Sequence, residues 1–352
     1  MDPLKRYKKY LKEFAGVCED MIDSGMPYMA VILNHELFRY LYPEEPFTNF
    51  FHKDPVIFIT RHLKKLTSLA KACLKSVKPY DMNFAKYNSL VKPDSLEETT
   101  SVLYADLWKR FDRKTLSGES VRLLSTRLPK RVIRDHIKGK TVLDLGCGSG
   151  RYTIALYKLG AKKVIGIDYR KESYRAAQEY AKKRNLQITF KEGDCVNLKF
   201  PSESFDFVFC NGVLHHTKSI ENGILQIKKV LKKGSKAFLY LYADGGIFWD
   251  TRVAMRKIFK KIPRDYTQKV LELINLPPNR FIFCDSWYVP IETHMRRNHL
   301  EDMLDRLGFD FKKIASRNSY DLDSVQVRMV KGAKVMWGES GEHRYILSKS
   351  VD

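Results

Sequence analysis

The stretch TVLDLGCGSGRYT, from Thr141 to Thr153, places three glycines within five residues, directly after an apolar run: Gly146, Gly148 and Gly150. Glycine has no Cβ, so a backbone rich in it can turn tightly and approach a ligand closely. An apolar strand followed by such a turn and then a helix is typical of nucleotide-binding units. The residues around these glycines therefore indicate which ligand the fold holds.

Two phosphate-binding alternatives fit this turn poorly. The dinucleotide motif G-x-G-x-x-G/A needs a small residue where this sequence has Arg151 or Thr153, depending on the glycine that starts the count. The phosphate loop of nucleoside triphosphatases ends in Gly-Lys-Ser/Thr, which this turn lacks. Asp144 lies just before the turn, where its carboxylate would repel a pyrophosphate and attract an ammonium group.

The turn resembles the first motif of class I S-adenosylmethionine-dependent methyltransferases of the type 11 and type 12 kind. Three later segments are similar to that family in the same order: VIGIDYR, KEGDCVNLKF and FDFVFCNGVLHHT. The resemblance extends from about Val132 to Ala243 and, more loosely, over the last part of the chain. It implies S-adenosylmethionine as the cofactor.

The resemblance also implies a set of cofactor contacts. A carboxylate at Asp168, at the end of the second strand, can accept hydrogen bonds from both ribose hydroxyls. The matching positions place Asp194 and Cys195 at the adenine edge. The predicted cofactor-binding residues are Asp144, Gly146, Cys147, Gly148, Gly150, Asp168, Tyr169, Asp194, Cys195, Asn211 and Gly212.

The order of elements predicts an α/β fold. Residues 1–117 are predicted to form a helical N-terminal region. Apolar side chains keep helical spacing over the first ~135 residues, and from Gly139 short β-rich runs alternate with helices. We expect a Rossmann-like, seven-stranded methyltransferase sheet over 118–352, with a helical insertion at 244–294 covering the acceptor site before the last two strands. The N-terminal helical region is predicted to be a lid or a recognition element for substrate or partner. In its last long helix, Tyr104, Trp108 and Phe111 are interpreted as packing residues or cofactor contacts.

Candidate catalytic and acceptor residues follow the fourth strand and the insertion. His216 and His294 are candidate general bases, since imidazole takes up a proton near neutral pH. The alternative is that the pair His215-His216 only supports the cofactor pocket. Trp287, Tyr288 and Glu292 are candidate walls of the acceptor pocket, or parts of an ordinary surface loop.

The acceptor is less well specified. The tetrapeptide Asn/Asp-Pro-Pro-aromatic, which in this superfamily marks methylation of planar nitrogens, is replaced by NGVL. We therefore predict methyl transfer to a small-molecule or lipid-like acceptor, at oxygen or carbon. An RNA methyltransferase, particularly one acting on tRNA, and a non-catalytic protein that binds S-adenosylmethionine or a partner remain alternatives.

The net charge of +22 would attract polyanions, so binding to such a partner remains an alternative. The insertion carries basic residues that could bind RNA or an anionic membrane surface, or simply remain in water while the apolar face covers the active site: Arg252, Arg256, Lys257, Lys260 and Lys261. Six scattered cysteines without a C-x-x-C pair predict neither a zinc site nor a disulfide framework. They indicate a reducing compartment, so we expect a cytoplasmic protein. The alternative is a protein that binds peripherally to a membrane.

Overall fold

The computed structural model describes residues 2–41, 54–77, 95–108, 118–274, 280–314, 333–338 and 341–350. Packing divides the chain into two compact units. We call them the helical unit (Met1–Lys92, Gly245–Val289 and Val325–Glu339) and the sheet unit (Pro93–Asp244, Pro290–Ser324 and Ser340–Asp352). Helices and strands are numbered along the chain, and neither unit contains a described helix long and apolar enough to cross a membrane.

The helical unit is built from amphipathic helices. Its described helices are α1 (Pro3–Asp23), α2 (Pro27–Leu41), α3 (Pro55–Ser76), α9 (Ile247–Phe259), α10 (Arg264–Leu273), α11 (Arg280–Tyr288) and α13 (Ala333–Trp337). Asp2 and Asp54 cap α1 and α3, because each carboxylate accepts hydrogen bonds from the first backbone amides of its helix. The buried hydroxyl of Tyr7 lies 3.0 Å from the carbonyl oxygen of Ile247, which joins α1 to α9.

The sheet unit contains one seven-stranded sheet in the order β3-β2-β1-β4-β5-β7-β6. Its strands are β1 (Thr141–Leu145), β2 (Lys163–Asp168), β3 (Ile188–Glu192), β4 (Phe205–Asn211), β5 (Leu231–Tyr242), β6 (Phe309–Lys313) and β7 (Glu342–Lys349). The strands β1 to β5 are parallel, and β7 runs antiparallel between β5 and β6. The predicted Rossmann-like seven-stranded sheet is confirmed.

The central strands are apolar on both sides because helices cover both faces of the sheet. Leu143 and Val208 point into one buried cluster, while Val142 and Phe207 point into the other. The described helices of this unit are α4 (Leu96–Trp108), α5 (Ser120–Arg127), α6 (Arg151–Lys158), α7 (Lys171–Lys183), α8 (Ile220–Val230) and α12 (Arg297–Arg306). A short helical turn over 130–137 leads into β1.

Packing divides the chain at different positions from those predicted. Helix α4 belongs to the sheet unit, although it lies within the predicted N-terminal region 1–117. The helical unit takes up Gly245–Val289, most of the predicted insertion 244–294, while residues 290–294 pack with the sheet. The functional domain boundaries at 117 and 118, and the covering role of the insertion, stay predictions.

Candidate functional site

A cavity of about 290 Å³ opens at the carboxyl ends of the parallel strands in the sheet unit. This edge is where open α/β sheets bind ligands. Its wall combines the loops after β1, β2, β3 and β4 with one face of α4. The lining residues are Ser95, Glu97, Thr100, Ser101, Tyr104, Gly146, Gly148, Asp168, Tyr169, Gly193, Asp194, Cys195, Val196, Asn211, Gly212, Val213, His216, Thr217 and Lys218.

The structure brings most of the predicted cofactor-binding residues to this cavity. The predicted residues on its wall are Gly146, Gly148, Asp168, Tyr169, Asp194, Cys195, Asn211 and Gly212. They come from four loops that are far apart in sequence, and the parallel sheet places those loops side by side. Asp144, Cys147 and Gly150 lie outside the cavity lining.

The glycine turn is tied to the end of β2. The backbone amide of Gly148 donates to Oδ2 of Asp168 at 2.8 Å, and the amide of Cys147 donates to the carbonyl of Ile167 at 2.7 Å. Burial raises the pKa of the Asp168 carboxyl despite the hydrogen bonds it accepts from backbone amides. The turn and the carboxylate therefore form one structural element.

Asp144 is not among the residues that line the cavity, and its predicted contact with the cofactor stays a prediction. Its side chain is buried inside the sheet unit, where Oδ2 accepts a hydrogen bond from the Thr153 hydroxyl at 2.6 Å. Burial raises the pKa of this carboxyl to about 7. Asp144 therefore holds the first turn of α6, which begins two residues before Thr153, against β1.

Gly150 and Cys147 belong to the glycine turn but do not line the cavity. Gly150 ends the turn with φ of +73°, and a Cβ there would lie 2.5 Å from the Cβ of Ala177. Cys147 is buried with Ala177 and Phe190 in a small cluster between α7 and β3. These two residues allow close packing of helix against strand rather than lining the cavity.

The charges on the cavity wall suit a cationic ligand. Among the described residues that line it there are three carboxylates, from Glu97, Asp168 and Asp194, and one ammonium group, from Lys218. A pyrophosphate would meet net repulsion there, whereas the sulfonium and ammonium groups of S-adenosylmethionine would be attracted. The donor and acceptor set of the wall therefore fits this cofactor, with the Asp168 carboxylate available to ribose hydroxyls.

His216 lies on the cavity wall with both ring nitrogens engaged. Its Nε2 is 2.9 Å from the Tyr104 hydroxyl, and its Nδ1 is 2.8 Å from the carbonyl oxygen of Ile291. The pair joins α4 to the loop after β4. The contact between Tyr104 and His216 was not predicted, because the two residues are 112 positions apart and no periodicity links them. The side chain of Trp108 and the whole of Phe111 lie outside the described part of the chain.

His294 and Glu292 are hydrogen-bonded to each other, and neither residue lies on the cavity wall. Nε2 of His294 lies 3.0 Å from Oε1 of Glu292, whose side chain is only 2% exposed. The ring of His294 faces Tyr242 at 6.3 Å, and Tyr242 stacks on His215 at 3.7 Å. Neither residue lines the cavity. The predicted roles of His294 as a base and of Glu292 as an acceptor contact stay predictions.

Trp287 and Tyr288 belong to the interior of the helical unit. Trp287 is 2% exposed and stacks on Phe259 at 5.9 Å. The Tyr288 hydroxyl is hydrogen-bonded to Thr267 at 2.5 Å, and burial raises its pKa well above the ordinary value. Helix α11 turns both rings into a core, so the surface-loop alternative is wrong for them, and their role as acceptor walls stays a prediction.

The predicted basic surface of the insertion is smaller than expected. Arg252 is 2% exposed, and Arg256 donates a hydrogen bond to the carbonyl of Val289. Lys257, Lys260 and Lys261 are exposed, and Lys261 lies 3.3 Å from Glu19. Arg252 is buried because it lies one turn after Phe248, which is itself buried on the same side of α9.

Comparison with known proteins agrees with this geometry. Residues 142–234 match the sequence model of a family described as "Methyltransferase domain". A ubiquinone biosynthesis O-methyltransferase of Coxiella burnetii is 31% identical over 144 residues, 38% of this chain and 58% of that protein. A tRNA U34 carboxymethyltransferase of Campylobacter hominis is 33% identical over 116 residues, 31% of this chain and 39% of that protein.

The chain spans less than two thirds of the length of these curated relatives. Among solved structures, the YcgJ protein of Bacillus subtilis aligns with a TM-score of 0.43 and 16% sequence identity. The alignment covers 66% of this chain and 98% of that chain.

Proposed function

Since residues 142–234 are a class I S-adenosylmethionine-dependent methyltransferase domain, we propose that this protein transfers a methyl group from S-adenosylmethionine to a small-molecule or lipid-like acceptor, at oxygen or carbon. The single observation that carries the proposal is the cavity itself. It joins in one wall a glycine turn, Asp168, which is predicted to hold the ribose, and Asp194 and Cys195, which are predicted at the adenine edge.

Methyl transfer needs little covalent participation by the protein. When bound, the cofactor supplies a methyl group already activated by its positive sulfur. The protein holds the ribose end at Asp168, positions the acceptor and limits access of water. The absence of the planar-nitrogen tetrapeptide after β4 favours oxygen or carbon as the acceptor atom.

The decisive experiment is label transfer. Purified protein is incubated with methyl-labelled S-adenosylmethionine and fractionated cell extract. We expect label in a fraction extractable into organic solvent. Cofactor binding in calorimetry without label in any fraction would support a non-catalytic binding protein instead.

An RNA acceptor is the second candidate, and the charge favours it. The net charge is +22, and Lys257 and Lys260 are exposed on or next to α9. If RNA is the acceptor, replacing both lysines by alanine weakens RNA binding and flattens its salt dependence. The control replaces the exposed Lys182 and Lys183 of α7 in the same way. Unchanged binding in the first variant, together with unlabelled RNA, would exclude this candidate.

A further inference from the structure

We propose that a second cavity, formed between α1 and α3 in the helical unit, binds a small phosphomonoester, that is, a phosphate group joined to an apolar or aromatic remainder. The cavity measures about 360 Å³, and its described lining comes from positions 3–64. The described residues that line it differ from those that line the cavity of the sheet unit. The inference therefore does not depend on the methyltransferase activity proposed above.

The helical periodicity of α1 and α3 produces this cavity. Arg6 and Tyr10 lie one turn apart on α1, and Thr60 and Lys64 lie one turn apart on α3. Residues at this spacing project from one face of a helix. Two regular helices, rather than loops, therefore position these lining side chains.

The two helices run in the same direction. The first turns of both line the cavity, and farther along Glu13 of α1 is ion-paired with Lys71 of α3. Both helices thus begin at the cavity. The capping carboxylates of Asp2 and Asp54 offset the positive partial charge of these helix ends, so we assign the attraction for an anion to side chains.

Three cations lie on the rim of the cavity. Arg6, Arg61 and Lys64 are the charged residues of its described lining, which contains no carboxylate. All three are exposed, and none forms an ion pair with another described residue. Guanidinium groups bind phosphate oxygens in pairs, and lysine is a common phosphate ligand. A phosphomonoester carries a charge of about −1.5 to −2 at pH 7, so it uses three cations better than a carboxylate does.

The floor of the cavity contains a buried hydroxyl. Thr60 is 7% exposed, and its hydroxyl has no hydrogen-bond partner within the described part of the chain. A buried polar group without a partner destabilises a protein. A phosphate oxygen that reaches the floor would accept the hydrogen bond of this hydroxyl.

The rest of the described lining offers apolar and aromatic surface. Val56 is buried, Tyr10 is partly buried, and the apolar side chain of Ile57 is 52% exposed. A ligand that covers Ile57 removes this surface from water, and an aromatic ring can pack on Tyr10. The cavity volume lies at the lower end of the roughly 300–1,000 Å³ that small-molecule pockets have. Together these features favour an organic phosphate over a bare phosphate ion.

The first test detects the ligand at Ile57. Protein carrying ¹³C-methyl isoleucine is titrated with phenyl phosphate by NMR, and the Ile57 signal is assigned through Ile57→Leu. A nucleotide is avoided, because the cofactor cavity would bind its adenine. We expect the Ile57 signal to move and that of Ile154, buried in the sheet unit, to stay in place. No movement at about 10 mM phenyl phosphate, which would fill a site with a millimolar dissociation constant, would overturn the site.

A titration with phenol serves as the control for the ligand. Phenol has the same ring but no phosphate, so it should leave the Ile57 signal in place. An equal shift with phenol would show that the cavity does not recognise phosphate, and the proposal would be wrong.

The second test separates a site from general attraction by a basic protein. Arg6→Ala/Lys64→Ala removes two cations of the rim and should weaken phenyl phosphate binding by at least about tenfold. The control Lys5→Ala/Lys65→Ala removes two exposed cations of the same helices that do not line the cavity. It should bind within about threefold of the wild type, since isolated surface charges contribute little. Equal losses in the two double variants, which have the same net charge, would overturn the site.

Thr60→Val tests the floor of the cavity. Valine matches threonine in shape but cannot donate a hydrogen bond, so phenyl phosphate should bind about tenfold more weakly. Without ligand, the variant should be at least as stable as the wild type in denaturant unfolding, because a buried hydroxyl without a partner has been removed. Unchanged affinity would overturn the assignment of Thr60 as a phosphate donor.

The last test compares sources of the phosphate. Inorganic phosphate should bind at least about threefold more weakly than phenyl phosphate, because it covers no apolar surface. Equal affinities would overturn the organic remainder. Vesicles of phosphatidylcholine and phosphatidate, or a single-stranded RNA, might instead bind more tightly than phenyl phosphate and lose that binding in Arg6→Ala/Lys64→Ala. That result would assign the cavity to a membrane or a nucleic acid and overturn the small-molecule proposal.

Discussion

The backbone amide of Gly148 donates a hydrogen bond to Oδ2 of Asp168 at 2.8 Å. One carboxylate thus fixes the glycine turn and faces the cavity in which the ribose would lie. Removing it should affect both the shape of the turn and ligand binding.

We expect Asp168→Ala to weaken S-adenosylmethionine binding by at least about tenfold, because charge-assisted hydrogen bonds contribute roughly 1.5–3 kcal/mol each. Isothermal titration calorimetry measures the change. Asp302→Ala, which removes an exposed carboxylate from α12, is the matched control and should bind normally. Equal affinities in the two variants would mean that the cofactor is bound elsewhere.

Gly150 should tolerate a side chain less well than Gly139, although both have a positive φ, of +73° and +74°. Gly139→Ala meets no atom within 4 Å and should cost only the conformational term, about 1–2 kcal/mol. Gly150→Ala also collides with Ala177 and Phe190, so overpacking should add about 1–3 kcal/mol. Denaturant midpoints compare the two variants, and equal losses would contradict the packing described here.

Asp144 should make stability fall as pH rises. Its pKa in the folded protein is about 7, raised by burial from 3.8, so folding takes up a proton between these values. The stabilisation is complete below pH about 4 and is lost as pH rises to about 7, a change of up to about 4 kcal/mol. Unfolding free energies of wild type and Asp144→Asn, measured across this range, should therefore diverge in that direction.

Asp206 provides the opposite control for that measurement. Partial burial raises the pKa of its carboxyl. Hydrogen bonds from Lys232 and the Thr141 amide lower that pKa by more than burial raises it, so the net shift is downward. Its contribution should appear as pH rises towards about 4 and stay constant above that value. If the free energies of unfolding of the wild type and Asp144→Asn change in parallel from pH 4 to 7, the burial of the Asp144 carboxyl described here is wrong.

The cysteines should differ sharply in their reactivity towards iodoacetamide. Cys73 is partly exposed, while Cys18, Cys147, Cys195, Cys210 and Cys284 are buried. Burial also raises the pKa of the Cys195 thiol, and the thiolate is the reactive form. Peptide mass spectrometry of the native protein should find Cys73 modified first, and unfolded protein should react at all six. Early modification of Cys195 would show that the cavity opens in solution.

The sequence was most informative where function depends on local spacing. The glycine turn and the strand-end position of Asp168 follow from a few neighbouring residues, and the structure places both at one cavity. Arg252 could also have been assigned from the sequence, since it is one turn from Phe248 and must share its buried face. The positive charge of Arg252, taken alone, wrongly predicted a position on the surface.

Other features depend on contacts that no local pattern encodes. The pairing of Tyr104 with His216 requires α4 to pack on the loop after β4, and nothing in either segment specifies that partner. Trp287 resembled an acceptor wall because it is aromatic and lies near polar residues. Its place in a core follows from neighbours such as Phe38, which lies far away in the sequence.

Two hydrogen-bond partners of His216 lie outside the stretch that matches the family. The stretch that matches the methyltransferase family, residues 142–234, includes His216 but neither Tyr104 nor Ile291. The matched stretch thus contains the predicted cofactor residues, while segments outside it supply the atoms that orient its histidine. Changes in either flanking segment should therefore alter the orientation of His216 without altering the glycine turn.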